Sequence, residues 1–149
     1  MKEATSLILS IGTQLSTLFS QRYQHFYNLG IVEWRVMTVL SQKPNVRLKD
    51  ICNVLITDKA GISRALVKLH EKRLVSVEED QWHKSSKQWQ LTPGGLALHD
   101  VILEETNQLS CNVMDGISTE HVQILHNTLK QVNKNIQKHS HPIKTTKST

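Results

Sequence analysis

Aromatic side chains are scarce in this sequence, at 5% of 149 residues. The apolar residues are mainly Leu, Ile and Val spaced through polar helix formers, which suits an α-rich fold better than a β-sandwich. Cysteine is nearly absent. Cys52 and Cys111 lie far apart with no CxxC or Cys-His pairing at metal spacing, so neither a disulfide framework nor a zinc finger is indicated, and a reducing compartment fits. No run approaches the roughly 18 apolar residues of a membrane span. The opening MKEATSLILSIGTQLSTLF carries Glu3 and polar residues throughout, unlike the unbroken apolar core of a secretory signal, so a soluble cytoplasmic protein is expected. Catalytic signatures are missing too: there is no GxSxG, no phosphate-binding glycine loop and no His-Glu-His helix pattern. An enzyme is not expected, and no cofactor is implied.

What is present begins with charge. Eighteen Lys and Arg outweigh thirteen Asp and Glu, a net charge of +5 that makes a polyanionic partner plausible. The length and a 38% hydrophobic content suit one domain with a real core. From Leu7 to Phe26 apolar residues recur at helical spacing, at Leu7, Ile11, Leu15, Leu18, Tyr23 and Phe26. A second helix spans Ile31 to Leu40, with Ile31, Trp34, Met37 and Leu40 on one face and Lys43-Pro44-Asn45 as its stop. A short third helix covers Leu48 to Leu55. A fourth starts at Asp58, an N-capping residue type, and runs to about Arg73 with Ile62, Leu66 and Leu69 inward.

Leu74 to Glu79 and Gln88 to Leu91 alternate as two strands, and the polar DQWHKSSK between them forms a projecting loop. Thr92-Pro93 then caps and opens a long fifth helix to about Met114, broken by Asp115-Gly116. Ser118 caps the last helix, where Ile117 can meet Val122 as a hydrophobic staple. That helix carries Val122, Leu125, Leu129, Val132 and Ile136 at gaps alternating three and four, a heptad seam that wants a partner. Residues 139–149 form a polar basic tail read as disordered.

Two short helices joined by a tight connection and followed at once by a hairpin make a winged helix-turn-helix. Burying Leu48, Ile51, Leu55, Ile62, Leu66 and Leu69 leaves Lys59, Ala60, Ser63, Arg64 and Lys68 outward. Small Ala60 and Gly61 suit close approach to a major-groove floor, and Ser63 and Arg64 can donate to bases or phosphates. Between Lys43 and Arg73 eight basic residues, Arg47 among them, stand against three acids. Lys84 and Lys87 on the hairpin loop can reach an adjacent groove or its phosphates.

The segment ICNVLITDKAGISRALVKLHEKRLV, followed by a polar wing and LTPGG, resembles the MarR family of bacterial transcription regulators. EWRVMTVL before it and STEHVQILHNTL after it resemble that family's second and last helices. The fold expected is mainly α with a small β-hairpin wing: a winged helix-turn-helix lobe at 31–91, dimerisation helices at 1–29 and 92–138, and one domain over 1–138. The resemblance implies a homodimer joined through the first, fifth and sixth helices, each subunit placing its fourth helix in a major groove of a pseudo-palindromic operator. It also implies a repressor released by a small ligand or oxidant. The tip departs from the family: where an Asp-Arg-Arg triplet is usual, this chain has His83-Lys84-Ser85.

The DNA-binding residues expected are therefore Arg47, Lys59, Ala60, Ser63, Arg64, Lys68, Lys84 and Lys87, against the plainer reading of solvated basic faces. The dimer interface expected comprises Leu7, Ile11, Leu15, Val122, Leu125, Leu129, Val132 and Ile136. His25, Phe26 and Trp34, beside Tyr27, are candidates for an aromatic ligand pocket, with simple core packing as the competing account for Trp34 and Phe26. Cys52 reads as a buried inert thiol. Eight histidines raise the question of metal, but His121 and His126 are five apart and off one helical face, so no metal site is expected. The function expected is a DNA-binding transcriptional regulator, probed against one rival: a protein-interaction module of the same fold, antirepressor-like, whose motive is the departing wing. A ligand carrier or metal buffer rests on histidine count alone.

Overall fold

The computed structural model describes residues 1–55, 57–79 and 87–139. Six helices and three short strands follow in the order α1 (Lys2–Tyr27), α2 (Ile31–Gln42), β1 (Val46–Arg47), α3 (Leu48–Val54), α4 (Lys59–Glu71), β2 (Val75–Glu79), β3 (Lys87–Leu91), α5 (Pro93–Val113) and α6 (Thr119–His139). The chain divides into two compact units, Met1–Asn107 and the residues from Gln108 onward.

In the first unit the core gathers one face from each of α2, α3 and α4. Val36, Met37, Ile51, Ile62, Leu66 and Leu69 are buried there, joined by Val75 from β2 and Ile102 from α5. Of the inward set that helical spacing marks out, Trp34, Met37, Leu40, Ile51, Ile62, Leu66 and Leu69 are buried, Ile31, Leu48 and Leu55 are half-buried, and Val36 and Ala65 are added. The sheet is antiparallel, in the order β1-β3-β2. The hairpin registers Val75 with Leu91 and Glu79 with Lys87, and the two-residue β1 pairs Val46 with Trp89 along the other edge of β3.

Helix ends follow from side-chain chemistry. The Asp58 carboxylate accepts from the Gly61 amide at 2.8 Å, the capping geometry that satisfies one orphan donor at the start of α4. Gly61 has a local reason beyond groove approach: a Cβ there would stand 3.0 Å from Asp58 Oδ1 and 3.4 Å from Thr57 Cγ2, crowding that cap. At its other end α4 closes with Arg73 in the left-handed region (φ 59). The Arg73 amide there donates to His70 O, and the Leu74 amide to Leu69 O. Asp58→Ala is expected to lower stability by about 1 kcal/mol, read as a shift in the urea midpoint with unchanged slope; an unmoved midpoint would mean that the cap contributes nothing.

The second unit is mostly α6. Ser118 Oγ accepts from the His121 amide at 3.3 Å, as the capping reading expects. No residue of α6 is buried. Val122 and Val132 of its seam are half-buried, while Leu125, Leu129 and Ile136 are exposed.

Candidate nucleic-acid interface

One face of α4 packs on the core, and the opposite face carries chemistry suited to a polyanion. Lys59, Ala60, Ser63, Arg64 and Lys68 are all exposed, as is the apolar Val67 between them. Ile62, Ala65, Leu66 and Leu69 anchor the helix from below, so the outward side chains rise from a rigid base.

The outward residues fall along two grooves. A groove of about 520 Å³ lies between α4 and the sheet and is lined by Arg47, Lys49, Ser63, Val67, Lys87 and Trp89, with Leu48 and Leu66 below. Among the described residues three cations and no acid line it. Here the structure brings together Arg47, Ser63 and Lys87, three of the residues expected from sequence, and adds Lys49, Val67 and Trp89. The pairing of β1 with β3 makes this possible by setting Arg47 opposite Gln88, next to Lys87. On its other flank α4 borders a second groove of about 380 Å³, where Arg64 and Lys68 face Ser20 of α1 and Glu33 of α2. Lys59 and Ala60 occupy the first turn of α4, where free amide donors and the helix dipole favour an anion. Lys84, and the whole tip His83-Lys84-Ser85, lie outside the described residues.

The aromatic candidates divide into two sets of ring contacts. Trp34 is buried in the core, with Tyr23 at 5.3 Å and His99 stacked at 5.2 Å. Phe26 is exposed, with the His25 ring edge-on at 4.7 Å and the Arg22 guanidinium 5.3 Å from its centroid. His25 and Phe26 are thus in contact with each other, and Trp34 serves the packing of α2 against α1 and α5. Tyr23 donates to or accepts from Thr106 Oγ1 at 2.9 Å. Burial raises its phenol above the usual value despite that bond. Desolvation, reinforced by the Glu105 carboxylate and opposed by Arg22, pushes the Tyr27 phenol up to about 12. Both phenols therefore remain neutral at physiological pH. His99 Nδ1 lies 3.0 Å from Asp100 Oδ1, while its buried Nε2 has no hydrogen-bond partner among the described residues.

Cys52 is half-buried against the core and Cys111 exposed, and both are free thiols. Among the described residues no group of three or more His, Cys, Asp or Glu is placed to hold a metal ion, and no helix is long and apolar enough to cross a membrane.

A helix presenting cations beside a small antiparallel sheet is the arrangement of a winged helix, and residues 29–95 match the family model of the winged helix DNA-binding domain. Solved structures extend the likeness beyond that lobe. A MarR/EmrR family transcriptional regulator from Acinetobacter sp. ADP1 is 25% identical, with a TM-score of 0.81 over 92% of this chain and 96% of its own. A MarR protein from Peptoclostridium difficile is 20% identical with a TM-score of 0.82, over 91% of this chain and 88% of its own. FabT from Streptococcus pneumoniae, solved in complex with DNA, is 15% identical with a TM-score of 0.79, over 93% of this chain and 99% of its own. No curated protein matches the chain. The chain thus carries a winged helix domain and, over nine-tenths of its length, has the fold of these MarR-family transcription regulators.

Proposed function

We propose that the protein binds double-stranded DNA sequence-specifically as a homodimer, acting in the cytoplasm as a repressor at a pseudo-palindromic operator and responding to a small-molecule effector. The observation that carries DNA binding is the outer face of α4. Lys59, Ser63, Arg64 and Lys68 are exposed there, beside a groove whose charged lining among the described residues is Arg47, Lys49 and Lys87. An exposed helix of this kind fits the major groove, where Arg64 and Ser63 can reach base edges or phosphates while Arg47 and Lys87 meet the flanking backbone. The homodimer is supported by the seam of α6, where Leu125, Leu129 and Ile136 are exposed and Val122 and Val132 only half-buried, and by exposed Leu7 and Ile11 on α1, with Leu15 half-buried beside them. Two copies would set their reading helices about one helical turn apart, roughly 34 Å, and a shift in that separation is how an effector releases DNA.

The test is enrichment of duplexes from a random-sequence pool by the purified protein, followed by titration of the enriched duplex at two salt concentrations. A near-palindromic consensus bound with a steep salt dependence is expected. Weak, sequence-indifferent binding at low salt only would overturn the reading in favour of a protein-interaction module. On the enriched duplex, Arg64→Ala is expected to weaken binding by about 1 to 3 kcal/mol; unchanged affinity would remove Arg64 from the interface.

A further inference from the structure

Arg64, Lys68 and Lys72 are spaced four residues apart and share one stripe of α4 and its cap. An acid, Glu33 in the first turn of α2, lines the same groove as Arg64 and Lys68. Glu33 is 6% exposed, an unusual burial for a carboxylate and one that demands a partner. It has one in Lys72, whose ammonium donates to Glu33 Oε2 at 2.6 Å and also to the backbone carbonyl of Asn28, the left-handed residue ending α1. One ammonium therefore joins the end of α1, the start of α2 and the end of α4. The side chains of Arg64 and Lys68 form no ion pair or hydrogen bond among the described residues.

We propose that Lys72 is a positioning residue for DNA binding: it holds the Glu33 carboxylate in a buried pair, so that Arg64 and Lys68 in the shared groove stay unpaired for phosphates or bases. Without the Lys72 charge, the buried carboxylate has two cations within its groove to recruit, and each one recruited is withdrawn from DNA. Lys72 thus acts through Glu33 and not by touching DNA. The inference rests on the DNA-binding reading above.

A double-mutant cycle on the enriched duplex tests it, with the parent, Lys72→Met, Glu33→Gln and the double variant titrated at two salt concentrations. Lys72→Met is expected to weaken binding about tenfold, and adding Glu33→Gln to restore affinity and salt dependence to near the parent values, because the carboxylate that captures Arg64 or Lys68 is gone. If Lys72 instead touches a phosphate, the double variant stays weak and its salt slope stays shallower by about one, which overturns the proposal. Equal binding by Lys72→Met and the parent overturns it as well. Should Lys72→Met not fold, Lys72→Arg keeps a cation able to reach Glu33 and is expected to bind as the parent does, while Lys72→Gln gives the second neutral arm of the cycle. A parent that shows no salt-dependent preference for the enriched duplex would overturn the DNA-binding reading together with this one.

Discussion

Gly95→Ala is expected to destabilise the protein by about 3 kcal/mol or more, through steric conflict with backbone. A Cβ at Gly95 would sit 1.9 Å from the carbonyl oxygen of Leu74 and 2.9 Å from its carbonyl carbon, and neither atom belongs to a side chain that can swing away. That carbonyl is already engaged, accepting from the Thr92 amide at 3.0 Å. Thr92 Oγ1 in turn donates to Arg73 O at 2.9 Å and accepts from the Gly95 amide at 3.0 Å. The end of α4, the start of β2, the end of β3 and the first turn of α5 therefore meet at one knot of bonds, and displacing Leu74 breaks several at once.

The neighbouring glycine supplies the control. A Cβ at Gly94 would meet only Thr92 Oγ1, at 3.9 Å, so Gly94→Ala is expected to be neutral or to stabilise by about 0.4 to 1 kcal/mol by restricting the unfolded chain. Urea denaturation of the two variants separates close packing from helix propensity. Equal midpoints would show that the junction yields easily and that Gly95 is not held by Leu74.

Much of this junction is legible in the sequence, because capping is local chemistry. Asp58, Thr92 and Ser118 announce helix starts by residue type and spacing, and the spacing of Ile62, Leu66 and Leu69 orients α4 without any tertiary information. Strand β1 is not legible: two residues carry no period, and Val46-Arg47 become a strand only because β3 offers an edge across forty residues of chain. The groove of Lys49, Val67 and Trp89 follows from that pairing and is hidden for the same reason. Trp34 has a helical position that predicts burial, yet nothing local foretells its stacking on His99, sixty-five residues away. The Glu33–Lys72 pair is equally invisible, since i,i+4 reasoning finds charge pairs within a helix and not between α2 and the cap of α4. Gly61 shows a subtler limit, for its residue type suggested close approach of a ligand, while the packing around it shows a carboxylate cap that needs the space.

Replacing Leu129 and Val132 together by glutamate is expected to dissociate the proposed homodimer and, with it, tight binding to a two-half-site operator. A helix of 21 residues with no buried side chain has little reason to persist in water by itself, because isolated helices near that length draw most of their stability from packing of an apolar face. In α6 that face exists as the seam from Val122 to Ile136, and among the described residues none of the seam is buried. Burying a leucine fully is worth about 1.5 to 3 kcal/mol. In a two-fold interface each substitution acts twice, so the combined loss reaches several kcal/mol, on the order of a thousandfold in dimer affinity. Sedimentation equilibrium at micromolar protein reads the association state directly, and titration of the enriched duplex reads its consequence: a monomer holds one half-site and loses the gain of binding two at once. If the variant sediments as a dimer, the association must rest elsewhere, and the exposed Leu7 and Ile11 of α1 become the residues to change. A monomer that still binds the duplex as tightly as the parent would instead separate dimerisation from DNA recognition, leaving the outer face of α4 sufficient by itself.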